Sequence, residues 1–138
     1  MPFRLALLLV VGVLAGCGGG DDEASSPVDS RCEAATSALM TPLDNALKSE
    51  RDSLENGQVV KSRDHDDIYF VSAELEGPGL FDPGDIGTWA TTSPGGAKAI
   101  FSVDEIAKDY TTWRDGTAMA GLSLDDDGAK ESRDCVAG

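Results

Sequence analysis

Ile68-Tyr69-Phe70-Val71-Ser72-Ala73-Glu74-Leu75-Glu76 is the stretch that decides the fold. Its residues alternate in polarity with a period of two, which is typical of a β-strand with one buried face. The residues expected on the buried face are Tyr69, Val71, Ala73 and Leu75, and those expected on the opposite face are Ser72, Glu74 and Glu76. The following Gly77-Pro78-Gly79 ends the strand.

Three shorter segments around this stretch are also predicted to be strands. They are Gln58–Arg63, Ile86–Thr92 and Lys98–Val103. Polar or glycine-rich turns separate them, including Asp64–Asp67 and Ser93–Gly96. Because these connections are short, the pattern favours a four-stranded antiparallel meander.

The segment before the strands is predicted to be helical, with Asp29 or Ser30 as its N-cap. One helical face is formed by Cys32, Ala35, Thr36, Leu39, Leu43, Ala46 and Leu47. Glu55-Asn56-Gly57 is expected to end the helical region. Pro42 leaves two alternatives open: one helix kinked at the proline, or two short helices, the second capped by Thr41.

The C-terminal part returns to helical spacing. Asp104 is expected to cap a helix from Glu105 to about Trp113, and Ser123–Asp127 is expected to open a last short helix that carries Cys135. Gly116 and Gly121 bracket a loose stretch between them. The predicted class is therefore α+β: an N-terminal helix, the four-stranded meander, and two C-terminal helices on one face.

The first residues have the pattern of an export signal. Arg4 precedes the apolar run Leu5–Leu14, which at about 1.5 Å per residue reaches roughly 15 Å and is too short to span a bilayer. Leu14-Ala15-Gly16-Cys17 follows, and it resembles the lipobox of bacterial lipoproteins. The resemblance implies cleavage before Cys17, diacylglycerol on its sulfur, and attachment of the acyl chains to the extracytoplasmic face of the cell membrane.

These features divide the chain into a signal peptide (1–16), a flexible tether (17–30) and one α+β domain (31–138). Gly18–Pro27 is small, acidic and low in apolar residues, so it has little to offset its ordering entropy. Its adjacent carboxylates Asp21, Asp22 and Glu23 are interpreted as solvated rather than as a metal site.

The charge balance excludes some partners. The net charge is −14 and becomes −15 once residues 1–16, which hold Arg4 and no acidic residue, are removed. Nucleic acid is not expected as a partner, because phosphate binding needs clustered Lys and Arg. Membrane attachment is expected to come from lipid rather than from charge.

Two further cysteines, Cys32 and Cys135, lie at the two ends of the predicted domain. In an exported protein a remaining pair of cysteines indicates a disulfide. The alternative is a redox pair, which usually takes the form Cys-x-x-Cys, and that spacing is absent here.

A second resemblance covers most of the domain. It rests on Tyr69-Phe70-Val71, Gly87-Thr88-Trp89-Ala90, Phe101-Ser102-Val103, Ile106-Ala107 and Cys135-Val136. These segments are similar to those of small lipoproteins of high-GC Gram-positive bacteria. The resemblance implies no activity.

No catalytic residue, metal site or cofactor is predicted. The single histidine, His65, lies between Asp64 and Asp66 and is interpreted as a solvated turn residue, with pH sensing as the alternative. Ser123–Asp134 has part of the pattern of a calcium loop, but Ser123 and Asp134 replace its expected aspartate and glutamate. Aromatic residues that would form a binding patch if they were exposed together are Phe81, Trp89, Tyr110 and Trp113.

The expected function is therefore that of a small lipid-anchored binding or scaffolding module of the cell envelope, and not that of an enzyme. A small hydrolase that uses a carboxylate pair and an accessory subunit of a membrane complex are the alternatives.

Overall fold

The computed structural model describes residues 31–80, 82, 84–96 and 99–138. The described elements follow in chain order: β1 (Glu33–Ala34), α1 (Ser37–Asn45), β2 (Ser53–Lys61), β3 (Tyr69–Glu76), β4 (Ile86–Thr91), β5 (Ile100–Ser102), α2 (Glu105–Tyr110), β6 (Arg114–Asp115), α3 (Gly116–Ala120) and α4 (Ala129–Ala137). The α+β class is confirmed.

The strands form one mixed sheet of six strands, ordered as they occur in the chain. Neighbours from β1 to β5 pair antiparallel, whereas β5 and β6 pair parallel through Phe101 with Arg114 and Ser102 with Asp115. The predicted four-stranded antiparallel meander is therefore wrong. The two additional strands, β1 and β6, have two residues each, which is too short to produce an alternating pattern in the sequence.

Helices cover both faces of the sheet, so the prediction that they pack on one face is also wrong. On one face Leu39 and Leu43 of α1 and Ala107 of α2 pack with Val71 and Trp89. On the other face Ala129 of α4 belongs to a second cluster, which also contains Phe70, Ala90, Val103 and Leu122. The sheet is thus the middle layer of three.

Ser72 explains why the second covered face was missed. A serine between apolar residues indicates a solvent-facing position, but Ser72 is fully buried. Its hydroxyl lies 2.7 Å from that of Ser132 on α4 and 2.9 Å from that of Thr88 on β4. The polar groups are buried because they bond to one another, which removes most of the cost of desolvating them.

The predicted long N-terminal helix is wrong at its beginning. Residues 33–34 pair with β2 as a strand, and Thr36, expected on the apolar helical face, is instead the N-cap of α1, with its hydroxyl accepting from the Leu39 amide at 3.3 Å. Pro42 lies inside this single helix. The alternative of two helices, with Thr41 as the second cap, is therefore not observed.

Asn56-Gly57 does not end a helical region but lies within β2, where the pairing with β3 shifts register between Glu55 and Gln58. Asn56 has a φ of 54°, the left-handed conformation that asparagine tolerates better than most residues. This bulge accounts for the turn-like sequence inside a strand.

The C-terminal region is partly as expected. Asp104 caps α2, and its side chain accepts from the Ala107 amide at 2.8 Å. The helix ends at Tyr110 rather than near Trp113, and the stretch expected to be loose contains β6 and α3. The last helix begins at Ala129, after turns at the positions where it was expected to open.

Candidate functional site

One concave surface is formed by β1, the end of β2 and the start of β3. Strand pairing places Glu33 opposite Val59 and Lys61 opposite Tyr69, so these four residues share one face of the sheet. A groove of about 480 Å³ is lined by Arg31, Glu33, Val59, Lys61, Tyr69 and Pro94. We call it the Tyr69 groove. Its volume lies within the range of small-molecule sites.

The Tyr69 groove has an apolar floor and a defined end. Val59 is 5% exposed, and Tyr69 is half-buried against the cluster on the α1 face of the sheet that contains Leu39, Val71 and Trp89, which we call the first cluster. At one end the Thr36 hydroxyl donates to the Pro94 carbonyl at 3.3 Å. This bond joins the start of α1 to the β4–β5 connection, and a smaller hollow of about 210 Å³ lies beside it, sharing Glu33, Val59 and Pro94.

Positive charge collects at the other end. A neighbouring hollow of about 380 Å³ is lined by Arg31, Lys61, Ser62, Arg63 and Asp66, so Arg31 and Lys61 border both spaces. The Lys61 ammonium lies 6.0 Å from the centroid of the Tyr69 ring, at the outer limit of a cation–π contact. Within the part of the chain that the structure describes, neither Lys61 nor Arg63 forms an ion pair.

Arg31 is engaged differently, because it is held by acidic residues near the start of α4. Its two terminal nitrogens each lie 2.9 Å from an Asp127 carboxylate oxygen, and it also pairs with Glu131. The hydrogen bond from Arg31 is the main reason that the pKa of Asp127 is lowered. Arg31 therefore forms a fixed wall of the groove, while Lys61 and Arg63 retain donors for a ligand.

The turn after β2 is fixed by the loop that precedes α4. The Arg63 amide donates to Asp127 at 2.8 Å, and the Asp127 amide donates to Asp64 at 2.7 Å. His65 Nε2 lies 3.0 Å from Asp126 Oδ2, so this half-buried histidine contacts a carboxylate distant in sequence rather than only its neighbours. These bonds hold the backbone that carries Lys61 and Arg63.

The partial calcium-loop pattern corresponds to a different arrangement. Asp127 is bound by Arg31, Asp134 forms an ion pair with Lys130 at 2.8 Å, and the Ser123 hydroxyl accepts from the Asp125 amide. Among the described residues no group of three or more His, Cys, Asp or Glu side chains is placed to hold a metal ion.

The aromatic residues singled out in the sequence do not form one exposed patch. Trp89 is fully buried and donates from Nε1 to Thr111 Oγ1 at 3.0 Å. Tyr110 and Trp113 are partly buried against the first cluster, and Phe81 lies outside the described residues. The aromatic residue at the groove is instead Tyr69, which the sequence placed on the buried face. Its place near the beginning of the predicted strand, just after the polar turn Asp64–Asp67, is the available signal that it lies near an edge of the core.

Of the predicted site residues, Cys32 and Cys135 are joined in a disulfide with a Cα–Cα distance of 6.0 Å. The predicted disulfide is confirmed. Cys17, the predicted lipid-attachment residue, lies outside the described residues, as do the signal peptide and the tether.

Comparisons with known proteins found no match for this chain. No protein-family model, no curated protein and no solved structure matches the chain. Across the described ranges, no helix has the length and apolar character needed to cross a membrane.

Proposed function

We propose that this protein is an exported, lipid-anchored binding module on the extracytoplasmic face of a bacterial cell membrane. The observation that carries the proposal is the order of Arg4, the apolar run Leu5–Leu14 and the lipobox-like Leu14-Ala15-Gly16-Cys17. In this proposal Cys17 is the first residue of the mature chain and carries the lipid, and residues 17–30 separate the membrane from the domain.

The disulfide supports export. Disulfides form and persist in oxidising compartments and are rare in the reduced cytosol. Cys32 and Cys135 are bonded over a sequence separation of 103 residues, so the pair links the two ends of the domain. This arrangement agrees with a structural role outside the cytoplasm.

The Tyr69 groove supports binding rather than catalysis. It combines an apolar floor with Lys61, and the adjoining hollow adds Arg63. Neither cation forms an ion pair among the described residues, and a few polar groups beside apolar surface are features of a recognition site. A hydrolase of the alternative kind would use a pair of carboxylates. Two carboxylates of the described chain are buried, and both accept hydrogen bonds from backbone amides. Asp52 accepts from Gly79, and Asp104 accepts from Thr88 and Ala107, so each has a structural role.

Mass spectrometry of the protein purified from bacterial membranes tests the anchor. Trypsin is expected to release a peptide of residues 17–31 that begins at Cys17 and carries acyl mass. Cys17→Ser should leave residues 1–16 uncleaved or release the protein from the detergent phase, because the sulfur that accepts diacylglycerol is missing.

Gly19→Ala is the matched control, since it lies two residues beyond the site and keeps the cysteine. It should be processed and partition like the unaltered protein. An unmodified Cys17 in a membrane fraction, or a Cys17→Ser protein that still enters the detergent phase, would contradict the proposed anchor.

A further inference from the structure

We infer that the Tyr69 groove binds a hydroxyl-rich ring that carries a carboxylate, such as a uronic acid unit, with the acid group at Lys61 and Arg63. The inference rests on the proposed binding role and specifies its ligand class. It depends on the residues of the groove and not on the anchor, so the two can fail separately.

We expect an acidic group at one end of the ligand because two cations beside the groove form no ion pair within the described residues. Lys61 borders both the Tyr69 groove and the adjoining hollow, and Arg63 lines that hollow beside it. Arg31 is already bound to Asp127 and Glu131, so its charge is largely balanced. An anion placed between Lys61 and Arg63 therefore meets two cations that form no ion pair in the described chain. Two carboxylates lie near this position: Asp66, which lines the same hollow, is exposed to solvent and screened, and Asp127 is already bound by Arg31.

We expect a ring in the ligand because the floor of the groove is apolar. Val59 and the half-buried Tyr69 offer apolar surface, and the Tyr69 hydroxyl makes no hydrogen bond within the described residues. A ring that packs on this floor brings its substituents within reach of that hydroxyl, which both donates and accepts. Inorganic phosphate alone would leave the floor uncovered.

We expect hydroxyl groups on the ligand because the carboxylate of Glu33 can accept hydrogen bonds from them. This exposed carboxylate lines the Tyr69 groove from β1, opposite Val59 in the strand pairing. A carboxylate accepts hydrogen bonds from hydroxyl groups but repels a second anion. The ligand is thus expected to carry its charge at the Lys61 end and neutral hydroxyl groups at the Glu33 end.

Size and charge disfavour larger partners. A standard protein–protein interface uses about 20–30 residues on each partner, many more than the six that line the Tyr69 groove. The net charge of −14 repels nucleic acid and anionic membrane surfaces at long range. Local cations act on a small anion within the groove, because screening limits distant charges to about 8 Å at physiological ionic strength.

Titration of the purified full-length oxidised protein, in detergent, tests the inference by NMR chemical shifts or calorimetry. Glucuronate is expected to bind with a Kd on the order of 0.1–1 mM, a normal affinity for a small ligand with few charged contacts. Glucose, which differs by lacking the carboxylate, should bind at least about tenfold more weakly. Inorganic phosphate should also bind more weakly, because it lacks the ring.

Three variants locate the site. Lys61→Gln should weaken glucuronate binding about five- to tenfold, and Tyr69→Leu should weaken glucuronate and a neutral glucoside by similar factors. Lys130→Gln removes the same unit of charge from the exposed face of α4, where Lys130 pairs with Asp134, and should leave binding unchanged. Unchanged circular dichroism spectra and melting temperatures would exclude misfolding as the cause.

The results decide the inference directly. Equal binding of glucose and glucuronate, equal effects of Lys61→Gln and Lys130→Gln, or no saturable binding up to about 10 mM would overturn it. Phosphate binding as tightly as glucuronate would also overturn it, because the ring would then contribute nothing. Polygalacturonate that binds more tightly per unit than free galacturonate would indicate a polymer as the source of the ligand, and equal affinities would indicate a free acid.

Discussion

At the scale of single residues, Asp104 carries the clearest conflict between burial and charge. Its side chain is 4% exposed, accepts from the amides of Thr88 and Ala107, and forms an ion pair with Arg133. Burial raises its pKa, and the two amides and the Arg133 guanidinium oppose that rise without cancelling it. The role of Asp104 as a helix cap is evident from its sequence, but its pairing with Arg133, 29 residues away, is not.

The raised pKa of Asp104 should make the free energy of unfolding depend on pH, and this dependence should be absent from the Asp104→Asn variant. Because the folded pKa lies above the unfolded one, the folded state binds the proton more tightly, and the stabilisation is complete below the unfolded pKa. It is lost as the pH rises through the folded pKa. We therefore expect the free energy of unfolding of the unaltered protein, measured relative to Asp104→Asn, to fall as the pH rises from below the ordinary pKa of an aspartate to above the raised pKa of Asp104.

Urea unfolding of both proteins across that range measures the difference. Arg133→Gln provides an internal check, since removing the guanidinium should raise the pKa of Asp104 further and make the fall steeper. A rise of the difference with pH would mean that the amides and Arg133 outweigh burial.

At the scale of elements, the sequence was informative where an element is long and its period is regular. β3 occupies nearly the predicted stretch, because Val71, Ala73 and Leu75 alternate over eight strand residues. β6 has only two residues and is defined by its parallel pairing with β5, so no alternation of polar and apolar residues could indicate it. The Tyr69 groove was missed for a related reason: the register that aligns Lys61 with Tyr69 follows a bulge that the sequence presents as a turn.

That bulge is sensitive to the size of residue 57. A Cβ atom added at Gly57 would lie 2.9 Å from the Ala35 Cβ and overlap the Met40 side chain. Ala35 also donates to the Gly57 carbonyl at 2.9 Å, so the two backbones cannot separate without losing a bond. We expect Gly57→Ala to lower the free energy of unfolding by about 1–3 kcal/mol.

Gly96→Ala is the matched control, because a Cβ at Gly96 meets none of the described residues within 4 Å. Its effect in the same thermal or urea unfolding experiment should stay within about 0.5 kcal/mol. Equal effects of the two substitutions would mean that the segment around Ala35 moves freely away from β2.

At the scale of the whole molecule, the beginning of the domain is attached to its last helix twice. Cys32 bonds to Cys135 within α4, and the preceding Arg31 pairs with Asp127 and Glu131 at the start of that helix. The cysteine pairing was predictable because two cysteines allow one connectivity. The arginine pairing was not, since a single cation in an acidic chain has many possible partners.

Replacing both cysteines by serine should lower the free energy of unfolding by about 2–5 kcal/mol, because the closed loop of about 100 residues then regains its full entropy when unfolded. Urea unfolding of the oxidised protein and of the Cys32→Ser/Cys135→Ser variant measures the loss. A reductant should destabilise the unaltered protein by a similar amount and leave the variant unchanged, which separates loss of the bond from any effect of the serines. If the variant instead unfolds at the same urea concentration as the oxidised protein, β1 and the Arg31 ion pairs suffice to hold the N-terminal segment, and the covalent bond contributes nothing to the stability of the domain.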